Sequence, residues 1–147
     1  MHRESARLTA SCLARRIAAY AWAGPNTLAG LVVGALVVTL GGRVRVVAGN
    51  LEFCGGLLGR AVTSAHALCP FAAVTLGHVI VSATACDLDA VRAHEHVHVA
   101  QYERWGPLFL PAYVGSSLWQ VVRRRRLYRD NFFERQAYAR SDFDGRA

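Results

Sequence analysis

The chain has 147 residues, the size of one domain, and at 53% hydrophobic and 18% charged it is too apolar for a disordered tail. Its formal net charge is +7, yet all 17 basic residues are arginine and none is lysine. A surface that grips phosphate normally mixes the two, so the charge reads as a compositional bias and a nucleic-acid partner is discounted.

Residues 4–23 are predicted as an amphipathic helix, with Leu8, Leu13, Ile17 and Tyr20 recurring near helical spacing. Gly24-Pro25-Asn26 is a stop-and-restart signal, and Asn26 or Thr27 then caps a second helix that runs to Gly41-Gly42. Residues 1–42 are thus expected to form an N-terminal helical hairpin, followed by one compact unit over 43–147. The run 17–42 carries no charge between Arg16 and Arg43. Interrupted at Pro25, it leaves Thr27 to Gly42, about 24 Å of helix against a hydrocarbon layer of about 30 Å. Two readings stay open: membrane contact through 17–42, or burial of the hairpin. The expected location is accordingly cytoplasmic or membrane-associated. The apolar run starts late and no small-x-small site follows it, so no cleaved signal peptide is expected. Gly30 and Gly34 form a GxxxG, weak support for a membrane helix pair in a glycine-rich chain.

From Arg43 the period changes. Val44, Val46, Leu51 and Phe53 alternate with Arg45, Asn50 and Glu52 around Ala48-Gly49-Asn50, the pattern of a β-hairpin. Residues 54–72 are glycine-rich and loop-like, with at most a short helical turn. The β-branched, apolar run 73–83 reads as one strand. Thr84 with Asp87 has capping-box character, and a helix from about 87 to 104 ends at Gly106-Pro107. Leu108 to Val122 is a further helix that tolerates Pro111 in its first turn. After Arg123 to Arg126, a last helix starts near Asn131 and frays after Arg140. Cys12, Cys54, Cys69 and Cys86 stand far apart, without the paired spacing of a zinc or redox motif, and read as free thiols.

One motif carries specific chemistry. His94-Glu95-His96-Val97-His98 reads HExxH, which in a chain of this composition arises by chance in about 1% of cases. Histidines at i and i+4 stack on one helix face, so His94 and His98 can reach one Zn²⁺. Glu95 is turned about 100° round the helix, towards a metal-bound water, and is the general-base candidate. His96 falls on the opposite face and is not read as a ligand. A catalytic zinc wants a third protein ligand. Gln101 and Arg104 exclude the metzincin pattern, in which Gly and His stand at those positions. A carboxylate from the helix over 131–138 remains, and Glu134 is the residue it offers. The bland alternative for Glu134 is a capping box, returning its carboxylate to the Asn131 amide.

HEHVH, then about three dozen residues, then NFFERQAY resembles the gluzincin metallopeptidases, in particular very small members with a minimal core. The resemblance spans roughly residues 73–140. It implies an α+β, zincin-like fold, in which a short antiparallel-type sheet packs on the HExxH helix and a downstream glutamate helix, with an edge strand lining the cleft. Carried over residue by residue, it makes His94, His98 and Glu134 the ligands of Zn²⁺ and Glu95 the base.

Secondary candidates are Tyr102 and Tyr138, whose phenols could steady an oxyanion, and Gln101, which could hold a ligand histidine in place. His78 in the strand is left out of the ligand set. The expected activity is zinc-dependent hydrolysis of a peptide or protein substrate by metal-activated water. The alternative is a non-catalytic zinc-binding module with a structural or interaction role. An intramembrane protease is disfavoured, because residues 87–104 carry Asp87, Asp89, Arg92, Glu103 and Arg104.

Overall fold

A computed structural model describes residues 2–65 and 73–144, with side chains from residue 13 to 141 within those limits. In chain order the elements are α1 (His2–Thr39), β1 (Gly42–Val47), β2 (Asn50–Gly55), α2 (Gly56–Ser64), β3 (Ala73–Leu76), β4 (Val79–Ser82), α3 (Ala85–Trp105), a 3₁₀ turn (Gly106–Leu108), α4 (Phe109–Val122) and α5 (Phe132–Asp144). The expected α+β class holds.

The expected helical hairpin does not form: α1 is a single helix with Pro25 inside it. A proline in a helix interior forgoes a hydrogen bond and costs about 3 kcal/mol. Here the apolar and small residues on either side of it form one buried stripe, Ala23, Asn26, Gly30, Gly34 and Val37, at i, i+3 and i+4 spacing. Breaking the helix there would part Ala23, packed on Tyr102, Phe109 and Phe133, from the Gly30, Gly34 and Val37 segment that lies on the sheet. Asn26 is no cap, because its side-chain amide donates to the Gly106 carbonyl at 3.0 Å in a buried bond. Leu13–Thr39 is long and apolar enough to cross a membrane, a property that the core helix of a soluble protein shares.

The sheet has strand order β1-β2-β4-β3 and is mixed, which corrects the antiparallel expectation. β1 and β2 form the predicted hairpin, with Ala48 and Gly49 both at positive φ in a two-residue turn. Residues 73–83 are two strands instead of one. Gly77, at φ 62, starts the turn that folds β3 back on β4. β2 and β4 then pair in parallel, which requires the crossover that α2 supplies. Alternation sorts the side chains between two layers. Phe53 and Val79 meet Val37 of α1 on one face, whereas Cys54 and Ile80 meet Leu88 and Val99 of α3 on the other. A third cluster, Ala23, Tyr102, Phe109 and Phe133, joins α1 to α3, α4 and α5. α1 therefore shares one core with the rest of the chain. Cys54 and Cys86 are free thiols, as expected; Cys12 and Cys69 lie outside the described side chains.

Gly30 and Gly34 serve the approach of helix to sheet. A Cβ at Gly30 would sit 2.7 Å from the Val79 Cβ and 2.9 Å from the Leu76 carbonyl, and one at Gly34 would strike the Phe53 ring at 2.6 Å. Gly30→Val is expected to destabilise the protein by about 1–3 kcal/mol through overpacking, seen as a lower thermal midpoint, while Ala29→Val on the exposed side leaves it within about 0.5 kcal/mol.

α3 begins where expected: the Thr84 hydroxyl accepts from the Asp87 amide at 3.1 Å. Its orientation is fixed from β2. Glu52 is fully buried and accepts from Arg92 Nε at 2.9 Å and from Arg45 Nε at 2.6 Å, while Asp89 pairs with both arginines. Burial alone would raise the Glu52 pKa, but the two guanidiniums outweigh it and hold the carboxyl below its ordinary value. This network stands behind α3, and His96 faces it, with Nε2 3.9 Å from Glu52 Oε1. The sequence assignment of His96 to the opposite face is thus met.

Candidate metal centre

His94 and His98 project from one face of α3, and α5 brings Glu134 up against them. All three are buried, and their ligand atoms lie within 4.8 Å of one another. His94 Nε2 is 3.1 Å from His98 Nε2 and 3.2 Å from Glu134 Oε2, and His98 Nε2 is 3.3 Å from Glu134 Oε1. Ligands at about 2.1 Å from a tetrahedral ion stand about 3.4 Å apart, so each of the three separations suits one edge of such a site. Glu134 Oε2 is buried without a hydrogen-bond partner. Two imidazole nitrogens and a carboxylate facing one another could hold a metal ion, and the donor set fits one.

The capping-box alternative for Glu134 is not what forms. Asn131 caps α5 with its own side chain, Oδ1 accepting from the Phe133 amide at 2.8 Å. Asn131 Nδ2 also donates to Ser117 Oγ and to the Tyr113 carbonyl, which fixes the start of α5 on α4. Glu134, one turn in, is left free to point at the histidines. Ala137, fully buried one turn later, allows α5 to lie close on its neighbours.

Two polar side chains steady this cluster. Gln101 Oε1 lies 2.8 Å from His98 Nδ1, and Gln101 Nε2 donates to the Phe133 carbonyl and to Gln136 Oε1 on α5. A proton held on Nδ1 by that oxygen leaves the Nε2 lone pair facing the cluster. The Tyr113 hydroxyl donates to Glu134 Oε1 at 2.7 Å. Glu95 lies outside the trio, and its Oε2 accepts from the Thr75 hydroxyl of β3 at 2.6 Å. Gln101→Leu is expected to lower metal affinity about 10–100-fold with both histidines still present, measured by competition with a chromogenic chelator.

The charges follow the geometry. Burial pushes the Glu134 pKa up, but His94, His98 and the Tyr113 hydroxyl pull harder, and the carboxyl lies far below its usual range. His98 is lowered by burial and raised more by Glu134, for a net rise above 6.5. Burial first, then the Glu134 hydrogen bond, raises the Tyr113 pKa, so the phenol stays a donor.

A cavity of about 210 Å³ opens beside the cluster. Edge strand β3 forms one wall through Ala73 to Leu76, and Phe109, Leu110, Tyr113 and Tyr128 form the other. His98, Glu134 and Glu95 share its floor with Tyr102. Among the phenols named from the sequence, Tyr102 sits almost fully buried in the core cluster, its pKa raised by burial and then by Glu95. Tyr138 tilts over His94 with ring centroids 4.6 Å apart and does not line the cavity. Tyr113 and Tyr128 do line it, and the sequence reading missed both. Phe109, Tyr113 and Ser117 at i, i+4 spacing were a usable signal for Tyr113; Tyr128 sits in a non-repetitive turn that offers none. His78, buried in the β3–β4 turn, stacks on Tyr20 and lies 3.1 Å from Glu103 Oε1, away from the cluster. Leaving it out of the ligand set agrees with that placement. Compared with known protein families, curated proteins and solved structures, the chain gives no match.

Proposed function

We propose that the protein is a zinc-dependent peptide hydrolase of minimal gluzincin type, with His94, His98 and Glu134 as ligands and Glu95 as general base. The observation that carries this reading is the position of Glu95. Its carboxylate opens into the cavity that His98 and Glu134 also line, yet it stays out of the ligand trio. A structural site has no use for a base there. Zinc is favoured among metals by two imidazoles and one carboxylate at tetrahedral spacing with room for a fourth ligand.

A bound zinc ion supplies Lewis acidity, which acidifies water and polarises a carbonyl. Thr75 holds Glu95 Oε2. The other oxygen, Oε1, takes the proton from the attacking water and passes it to the leaving amine. An extended peptide pairing with the outer edge of β3 would run along the cavity wall, its side chains against Val74 and Leu76. Tyr113 keeps Glu134 oriented throughout.

A second reading, a non-catalytic zinc module, has its own support. Gln101, Tyr113 and Glu134 tie α3, α4 and α5 together at one point, which is how a structural metal would serve a small fold. Metal analysis of the purified protein, with hydrolysis of an unfolded substrate such as casein measured before and after chelation, decides between them. Peptide release that chelation stops and zinc restores supports the hydrolase. One bound zinc with no release, and unfolding on chelation, supports the module.

A further inference from the structure

The helix that walls the cavity is apolar on both sides. From Gly106 to Val122 the chain has no charged residue. Phe109, Tyr113 and Ser117 face inward. Leu110, Val114, Leu118 and Val121 recur at i, i+4, i+8 and i+11 on the outside, and all are exposed, with Val122 at 74%. An exposed stripe of this kind on a folded protein marks a surface that meets something apolar. Trp119 lies exposed beside the stripe, and the Arg123 guanidinium sits 5.0 Å from its ring centroid. Directly after come Arg124, Arg125 and Arg126, also exposed. Among the described residues, none of the four arginines is in an ion pair.

We propose that the outer face of α4, with the arginine cluster at its end, docks on an anionic phospholipid surface. An apolar stripe that ends in tryptophan and then arginine matches the layering of a bilayer interface, with acyl chains below and phosphate headgroups above. The charge selects this occupant over a second copy of the chain. A homodimer through this face would bring two unpaired arginine clusters together, on protomers that each carry +7. Leu110 belongs both to the stripe and to the cavity wall, so docking sets the cavity mouth at the lipid surface. α1 also exposes apolar residues, among them Leu28, Val32 and Leu36, and is the competing face in the test that follows.

Vesicle cosedimentation of the full chain tests this without reference to catalysis. Vesicles of mixed phosphatidylglycerol and phosphatidylcholine should bind the protein about 100-fold more tightly than phosphatidylcholine alone. Replacing Arg123, Arg124, Arg125 and Arg126 together by glutamine should erase that preference. Leu118→Ser with Val122→Ser should weaken binding to the anionic vesicles about 10-fold or more. All six positions are solvent-exposed, and an unchanged far-ultraviolet circular dichroism spectrum and thermal midpoint check that the fold is kept. Equal binding to neutral and anionic vesicles overturns the proposal, as does full binding by the arginine variant. It is overturned equally if the Leu118/Val122 variant loses a dimer seen by light scattering while vesicle binding persists, or if Leu28→Ser with Val32→Ser and Leu36→Ser abolishes binding that the α4 variants retain.

Discussion

Glu95→Gln is expected to bind zinc with unchanged stoichiometry and to lose about 10²–10⁴-fold in the rate of peptide hydrolysis. The amide keeps the size of the carboxylate and can still meet the Thr75 hydroxyl, which donates to Glu95 Oε2 in the native protein. What it cannot do is take a proton. Glu95 is not among the three residues whose ligand atoms converge, so the metal should stay. Metal analysis beside initial rates on casein reads both halves of the expectation. Loss of zinc in this variant would place Glu95 in the coordination sphere; an unchanged rate would remove it from the chemistry.

Glu134→Ala should do the opposite and empty the site. Structural zinc sites bind with roughly 10–16 kcal/mol spread over four ligands, so removing one charged ligand should cost about 100- to 1000-fold in affinity. The loss extends beyond the metal. The Tyr113 hydroxyl loses its acceptor, and His98 loses the carboxylate that raises its pKa. The lost Tyr113 bond is worth about 1 kcal/mol, so the metal-free variant should also melt slightly below the metal-free wild type. Competition with a chelator and thermal melts after exhaustive dialysis separate the two effects. Retention of zinc at wild-type affinity would exclude Glu134 as the third ligand.

The parts of this site that the sequence disclosed are those governed by local periodicity. His94 and His98 share a face because they are four residues apart on a helix whose start, Thr84, was also readable. Glu134 is the carboxylate that α5 offers, and packing turns it towards the histidines instead of the Asn131 amide, since Asn131 caps the helix unaided. Tyr113 could have been read from the i, i+4 spacing of Phe109, Tyr113 and Ser117, whereas Tyr128 and Thr75 entered the cavity only through tertiary approach. Two elements were misread for opposite reasons. Pro25 looked like a boundary, but its cost of about 3 kcal/mol is set against the buried stripe of α1, which binds the helical cluster at Ala23 and the sheet at Val37. Gly77 looked like one strand residue among eleven, yet its positive φ makes the turn between β3 and β4. The mixed character of the sheet was out of reach for a different reason. The parallel pairing of β2 with β4 depends on a crossover, and no short window of residues encodes it.

Gln101 gives the centre a property that its individual contacts do not express. Its oxygen is committed to His98 and its nitrogen to Phe133 and Gln136, so one amide plane spans a ligand and the segment that carries another. Neither end can rotate without breaking the other. Occupancy of the centre and attachment of the C-terminal helix are therefore thermodynamically linked: free energy gained from an ion at His98 and Glu134 must reappear as resistance of residues 132–144 to local opening. An ion held there would act as a clasp on α5.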